Sequence, residues 1–213
     1  MGTKHVVSAG HHLAAGAGYG ILEAGGNAID AGVAAGFMTN VGLPDNTSFG
    51  GVAPIMLYDA KSGAVKSISG LGVWPALASR EYFNNNCSGE IPPGILRSVV
   101  PGAPDAWLTA LELYGTMSFE QVVQPSLEIA RYGFPVSNSY VVAVDSDIEE
   151  LKSWSHTANQ FIPGGTPLQS GNKLVQTNLA RTFERLIDVE RANSSGGRQF
   201  AINAARNEFY RGD

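Results

Sequence analysis

The spacing of apolar residues predicts a short strand and two helices at the start of the chain. The apolar run His5–Ala9 favours a strand. Small residues over positions 12–24 predict a helix that Gly25 and Gly26 end as C-cap residues. Asn27 is typical of a helix N-cap, so a second helix is expected to begin directly after it.

The second predicted helix has one bulky side and one bare side. Apolar residues recur there at every fourth position beside a parallel stripe of small groups: Ile29, Val33, Phe37 and Val41, and then Ala28, Gly32 and Gly36. Glycine inside a helix costs about 1 kcal/mol relative to alanine. We therefore expect another element to pack closely against the bare stripe.

The middle of the chain changes from helical to strand patterns. The stretch "GLPDNTSFGGVAP" clusters Gly, Pro, Asp and Asn, which favours a loop. Two strand patterns follow, "APIMLYDA" and "AVKSISG", joined by Lys61, Ser62 and Gly63. A connection of this length that contains glycine predicts a β-hairpin.

The remainder of the chain reads as mainly helical. Pro104 suits a first helical position, and that helix is expected to end at Gly115. Ser118 and Gln121 have the spacing of a capping box, and Pro125 is expected to kink or restart the helix that ends at Gly133. A later amphipathic helix is defined by Leu179, Phe183, Leu186 and Ile187, and a last helix is expected to stop at "FYRGD".

Composition narrows the class of protein. The 213 residues are 44% hydrophobic and 15% charged, which is typical of a globular chain with part of its surface covered by another chain. The net charge of −5, without a basic run, excludes a nucleic-acid binder. No window has the roughly 20 apolar residues of a membrane span. The N-terminus lacks a signal-peptide pattern, so a cytoplasmic location is expected, with a periplasmic or secreted one left open.

Several short motifs do not indicate function. A single cysteine, Cys87, excludes an internal disulfide and a cysteine-rich metal site. "GAGYGIL" lacks the third glycine of a dinucleotide loop, and the adjacent His11 and His12 favour a capping or surface role over metal chelation. "DSDIEE" indicates a solvated acidic face, while "SWSHT" and the terminal "RGD" are too short to carry chemistry. We expect no cofactor and no metal.

The order of several longer segments resembles the large subunit of the gamma-glutamyltranspeptidase family. The segments appear in the family's order and span nearly the whole chain: "LEAGGNAIDAGVAAGF", "IMLYDAKSGAVKSISG", "VVPGAPDAWLTALELYGTMSFEQVVQPSLEIARYGFPVS", "LVQTNLARTFERL" and "EFYRGD". The match is specific because these motifs lie on separate predicted elements.

The resemblance implies an α+β fold, the four-layer αββα sandwich of the N-terminal nucleophile hydrolases, completed by a second chain or segment. In such proteins a precursor cuts itself, and the new N-terminal threonine of the small subunit attacks an amide. Residues 1–213 are expected to be the N-terminal part of the large subunit and a single structural unit. The chain contains no Thr-Thr pair, so no catalytic residue is expected in it. Its expected partners are the remaining large-subunit segment, the small subunit and a small amide or peptide substrate.

One position departs from the family pattern. Members that handle gamma-glutamyl groups carry an arginine in a stretch ending Arg-x-x-Ala-Pro, where the guanidinium holds the α-carboxylate. Here the segment is "SGLGVWP", which places Leu71 at the arginine and Trp74 at the alanine. Leucine does not bind a carboxylate, so gamma-glutamyl specificity is in question. The alternatives are a local slip of the alignment or a substitute arginine, Arg97, for which a plain surface role is the other interpretation.

The glycine-rich loop also differs from the family. Gly50 and Gly51 are followed by Val52, Ala53 and Pro54, where the family commonly has a longer glycine run. A reshaped pocket wall is expected, with the residues just before it near the substrate: Asn46, Thr47 and Ser48. An ordinary loop is the alternative.

The sequence is compatible with three functions. The first is an amide hydrolase or acyltransferase of the family whose acyl substrate is smaller or more apolar than gamma-glutamyl. The second is a true gamma-glutamyl hydrolase or transferase of glutathione-like peptides, with the carboxylate held by a residue such as Arg97. The third is a non-catalytic scaffold or binding subunit.

Overall fold

The computed structural model describes residues 2–212. Its helices are α1 (His12–Glu23), α2 (Ala28–Gly42), α3 (Arg80–Asn86), α4 (Ala103–Tyr114), α5 (Phe119–Tyr132), α6 (Asn138–Ser146), α7 (Ile148–Ser153), α8 (Ser155–Phe161), α9 (Thr177–Ala192) and α10 (Arg198–Arg211). Its strands are β1 (Ile55–Asp59), β2 (Ala64–Ile68), β3 (Phe134–Pro135) and β4 (Lys173–Leu174). A 3₁₀ turn spans Ile95–Arg97.

The chain groups into two compact units. Unit 1 contains Met1–Ser48 and Leu108–Asp213, and unit 2 is the intervening Phe49–Trp107. The single structural unit expected from the family resemblance stays a prediction. Within residues 2–212, no helix combines the length and apolarity needed to cross a membrane.

The start of α2 is held by a capping box, as Asn27 predicted. The Asn27 side chain accepts hydrogen bonds from the Ile29 and Asp30 amides, and the Asp30 carboxylate accepts one from the Asn27 amide. Gly25, between α1 and α2, has φ 92°, a backbone conformation that glycine adopts without a steric penalty. Both predicted helices and the glycine end of α1 are confirmed.

The face of α2 that takes a close neighbour is not the predicted one. A Cβ at Gly32 would meet no atom within 4 Å among the described residues. A Cβ at Gly18 of α1 would instead lie 2.9 Å from the Ala31 carbonyl oxygen and 3.4 Å from the Ala35 Cβ. The prediction of close packing is therefore wrong at Ala28 and Gly32 among the described residues, because α1 meets α2 on the face of Ala31 and Ala35. At Gly36 it stays a prediction.

Aromatic side chains form the centre of unit 1. The fully buried Phe37 of α2 contacts Phe119 of α5 edge-on at 5.7 Å and Phe183 of α9 at 6.0 Å between ring centroids. These contacts join α2, α5 and α9, and the predicted amphipathic pattern of α9 is confirmed. The capping box of Ser118 and Gln121 is also confirmed, but α5 runs through Pro125 without restarting.

The predicted strand at His5–Ala9 is wrong. These residues belong to no strand, although their exposure alternates along the segment. A strand is defined by backbone hydrogen bonds to a neighbouring strand. Within residues 2–212 the segment pairs with none, so its alternation does not produce a sheet.

Unit 2 contains the predicted hairpin. Strands β1 and β2 pair antiparallel, with Tyr58 opposite Val65 and Met56 opposite Ser67. These four side chains lie on one face of the hairpin. On the opposite face, Ile55 and Ile68 contact a buried cluster of Ala53, Ala103 and Ala106. The hairpin prediction is confirmed, and it places the segment after β2 against the start of α4.

Two charged side chains hold the connection from α4 to α5 in unit 1, the buried Glu190 and the half-buried Arg198. Glu190 accepts hydrogen bonds from the Phe119 amide at 2.6 Å and the Glu120 amide at 2.8 Å, which satisfies the start of α5. Arg198 donates to the Leu111 and Glu112 carbonyls at 3.0 and 2.9 Å, at the end of α4. Side chains of α9 and α10 thus satisfy backbone groups at these two helix ends, in addition to the capping box at Ser118.

Candidate functional site

The segment after β2 is fixed on both sides by backbone hydrogen bonds. The Ala53 amide donates to the Gly70 carbonyl at 2.9 Å. The Val100 amide donates to the Val73 carbonyl at 2.8 Å, within an isolated antiparallel bridge between these two valines. Residues 70–73 are therefore held between two neighbouring chain segments, all within unit 2.

Glycines make this arrangement possible, and we call Gly70, Gly72 and Gly102 the glycine frame. Gly70 and Gly72 have φ of 57° and 74°, in the left-handed region that side chains disfavour. A Cβ at Gly102 would lie 2.4 Å from both the Gly70 oxygen and the Gly72 nitrogen. The close backbone approach leaves Leu71 as the only side chain between the two left-handed glycines.

The side chains that this segment presents are apolar and accessible. Leu71 is 55% exposed and Trp74 is 44% exposed. The Trp74 ring meets the buried Phe83 of α3 edge-on, with ring centroids 5.9 Å apart. The sequence between Lys66 and Arg80 contains no charged residue. A carboxylate placed beside Leu71 would therefore find no cation on this segment.

Arg97 ends the 3₁₀ turn at Ile95–Arg97 and is exposed. Its side chain makes no hydrogen bond or ion pair within the part of the chain that the structure describes. Because the bridge of Val73 and Val100 is antiparallel, residues before Val73 lie alongside residues after Val100. Leu71 therefore lies beside Gly102, whereas Arg97 precedes Val100 and lies on the other side of the bridge.

The loop after α2 belongs to unit 1 and carries the other two predicted site residues. The side-chain amide of Asn46 donates to the Asp45 carboxylate at 2.9 Å, and both Asn46 and Ser48 are exposed. The Thr47 hydroxyl donates to the Thr39 carbonyl at 2.9 Å and so serves the end of α2. A role for Asn46 and Ser48 in binding substrate stays a prediction.

A small cavity lies next to this loop in unit 1. It has a volume of about 160 Å³ and is lined by Asp45, Asp147, Tyr140 and neighbouring apolar residues. Burial, together with the nearby Asp45 charge, raises the pKa of Tyr140 to about 12, and its hydroxyl donates to the Phe161 carbonyl at 3.1 Å. The phenol is thus a neutral donor whose hydrogen bond joins α6 to the end of α8.

Of the paired histidines, His11 acts in capping. The His11 side chain accepts a hydrogen bond from the Leu13 amide at 3.3 Å at the start of α1. Burial and the neighbouring His12 lower the pKa of His11, which favours the neutral ring that this acceptor role requires. The predicted capping role is confirmed. In residues 2–212, no group of three or more His, Cys, Asp or Glu side chains is placed to hold a metal ion.

The structure brings Leu71 and Trp74 together on one fixed segment, as their sequence spacing implied. It also adds residues that the sequence did not single out, namely the glycine frame and Phe83. For Gly70 and Gly72 the sequence "GLG" was a signal, because glycine adopts positive φ without a steric penalty. No sequence signal pointed to Phe83 as the neighbour of Trp74, because that contact depends on how α3 packs.

The fold is that of the N-terminal nucleophile hydrolases. The family model described as gamma-glutamyltranspeptidase matches residues 14–213, so the chain belongs to the gamma-glutamyltranspeptidase family. The predicted family and the predicted α+β fold are both confirmed. The chain superimposes on the crystal structure of Helicobacter pylori gamma-glutamyltranspeptidase with a TM-score of 0.81 and 28% identity, over 87% of this chain and 55% of that one.

Two curated relatives show the range of names within the family. The chain is 34% identical to the glutathione hydrolase proenzyme of Bacillus subtilis (strain 168), over 86% of this chain and 32% of the relative. It is also 34% identical to the acylase ACY 1 proenzyme of Pseudomonas sp. (strain SE83), over 89% of this chain and 35% of the relative. The chain thus spans about a third of the length of these relatives.

Proposed function

We propose that residues 1–213 form the N-terminal part of the large subunit of an amide hydrolase or acyltransferase whose acyl substrate is not gamma-glutamyl. The proenzyme names of both curated relatives support a precursor that also supplies the rest of the large subunit and the small subunit. The nucleophile, in this proposal, is a threonine on that other polypeptide. Residues 1–213 by themselves are then inactive.

The reaction is acyl transfer through a covalent ester. The threonine hydroxyl attacks the amide carbon, its own α-amine accepts the hydroxyl proton, and the amine of the substrate leaves with a proton. Water then cleaves the ester and releases the acid, or a second amine takes the acyl group. The role of residues 1–213 in this proposal is to form part of the acyl site.

The observation that carries the specificity is Leu71. It occupies the position at which the family resemblance places an arginine, and the close backbone contacts of the glycine frame hold the segment around it. Loss of a bidentate charge-assisted contact to a carboxylate weakens binding by about 100-fold. A neutral acyl group loses nothing by the change, which favours substrates without an α-carboxylate.

The test compares two substrates in the complete, processed protein. Gamma-glutamyl-p-nitroanilide and 4-aminobutyryl-p-nitroanilide differ only in the α-carboxylate. We expect the protein to cleave the second at least as fast as the first. Leu71→Arg should raise kcat/KM for the gamma-glutamyl substrate by about 10-fold or more and leave the other unchanged, with Leu71→Met as the neutral control. A clear preference of the unaltered protein for gamma-glutamyl would refute the proposal.

A second candidate is a true gamma-glutamyl hydrolase or transferase, and the unpaired guanidinium of Arg97 favours it. In that case Arg97→Ala should raise KM for gamma-glutamyl-p-nitroanilide strongly, with the 4-aminobutyryl substrate unaffected. The position of Arg97 across the Val73 and Val100 bridge from Leu71 makes it the weaker candidate. A complete protein that cleaves no amide would instead favour a scaffold or binding subunit.

A further inference from the structure

The segment that carries Leu71 continues as an exposed apolar surface. Leu71, Val73 and Trp74 each expose a large part of their side chains within unit 2. Exposed apolar groups so close together mark a surface that contacts a ligand or other polypeptide. No charged residue lies between Lys66 and Arg80, so this segment offers no partner to a charged group.

Trp74 differs from the other exposed residues because its ring is held in place. One edge contacts Phe83, which is only 7% exposed and belongs to α3. The Val73 backbone next to it is fixed by its hydrogen bond from Val100. A ring that is anchored at one edge and open elsewhere provides a preformed apolar surface, which binds a ligand with little loss of conformational entropy.

We infer that the Trp74 ring contacts the acyl group of the substrate and selects an uncharged acyl group with an aromatic or branched aliphatic body. Phe83 is a positioning residue that acts through Trp74. The inference rests on the proposed function, since Leu71, three residues away on the same fixed segment, is there assigned to the acyl site. The inference concerns only the acyl part of the substrate and places no restriction on the amine that leaves.

The experiment measures selectivity between acyl groups in the complete, processed protein. Phenylacetyl, isovaleryl and acetyl p-nitroanilides share one leaving group and differ only in the apolar body of the acyl part. Trp74→Ala should lower kcat/KM for the phenylacetyl and isovaleryl substrates by roughly 10-fold or more, and for the acetyl substrate by about 2-fold or less. The loss should lie mainly in KM, because it removes binding that the ground state and the transition state share.

Two further variants separate selectivity from folding. Trp74→Phe keeps an aromatic ring and should retain most of the selectivity. Phe83→Leu should reduce the phenylacetyl to acetyl ratio while kcat for the acetyl substrate stays unchanged. Leu77→Ala is the control, because Leu77 is 88% exposed on the same segment and has no part in the inference.

The outcomes distinguish this inference from the proposed function. If the unaltered protein cleaves no neutral acyl anilide, the proposed function fails. If it cleaves them but Trp74→Ala and Trp74→Phe lower all three substrates equally, the inference fails and the proposed function stands. If Trp74→Ala and Leu77→Ala both reduce the yield of processed protein and leave the acyl ratio unchanged, the surface contacts other polypeptide and the inference is overturned.

Discussion

Asp30 binds Thr116 through both of its carboxylate oxygens, although the two residues are 86 positions apart. Oδ1 accepts a hydrogen bond from the Thr116 amide at 2.9 Å, and Oδ2 accepts one from the Thr116 hydroxyl at 2.7 Å. The same fully buried carboxylate accepts hydrogen bonds from the Asn27 and Met117 amides. One side chain therefore caps α2 and fixes the connection between α4 and α5.

Replacing Asp30 should destabilise the protein strongly. Asp30→Ala leaves several partly buried donors without an acceptor, so we expect a loss of about 3 kcal/mol or more in the free energy of unfolding. Asp30→Asn keeps one acceptor oxygen and should cost about 1–3 kcal/mol. Urea unfolding of the complete protein measures both. Asp188→Asn, at an exposed position, is the control, and an equal effect there would contradict the assigned role of Asp30.

Glu190 should make stability depend on pH in the direction opposite to an ordinary paired carboxylate. Burial raises its pKa above the ordinary value of 4.5, against the lowering effect of its hydrogen bonds from the Glu120 and Phe119 amides. The folded state then holds the proton more tightly than the unfolded state does. The contribution of Glu190 is therefore fully present below pH 4.5 and is lost as the pH rises through the folded-state pKa.

The comparison with Glu190→Gln isolates this effect. The variant retains a carbonyl acceptor but does not titrate. The unfolding free energy of the unaltered protein minus that of the variant should fall as the pH increases from about 4.5 towards neutrality. Thermal or urea unfolding over that range measures the difference. A difference that rises with pH would show that the hydrogen bonds outweigh burial at Glu190.

The glycines of α1 should respond oppositely to the same substitution. Gly18→Ala places a Cβ 2.9 Å from the Ala31 oxygen and 3.0 Å from Val7, so α1 and α2 must move apart at a cost of about 1–3 kcal/mol. Gly16→Ala meets no atom within 4 Å among the described residues and should add about 0.5–1 kcal/mol of stability through helix propensity. Equal effects of the two substitutions on the unfolding midpoint would contradict the observed packing of α1.

Gly102→Ala should disturb the site and the fold together. The new Cβ would overlap the backbone at Gly70 and Gly72, and a backbone neighbour gives way less readily than a side chain. We expect a loss of about 1–3 kcal/mol in stability and a reduced preference among neutral acyl substrates. The control is Ser69→Ala at an exposed position of the same segment. An unchanged preference among acyl substrates in Gly102→Ala would show that the glycine frame does not set acyl specificity.

Local patterns predicted most of the elements of this fold. The capping boxes at Asn27 and Ser118 depend on residues within three positions, and the hairpin depends on a short connection, so the sequence reveals them directly. The expected strand at His5–Ala9 failed because a strand depends on a partner that the local pattern does not contain. Leu71 and Trp74 were found by their place in a family motif, whereas Phe83 was visible only as a neighbour in space.

The sequence by itself determined where helices begin and end, which faces are apolar, and the order of motifs that marks the family, because those features rest on interactions between residues a few positions apart. The tertiary structure decided which glycine admits a neighbouring helix, which donors Asp30 satisfies, and that Leu71 and Arg97 lie on opposite sides of a bridge. Those features depend on contacts between distant segments, whose geometry is set when the helices and strands pack.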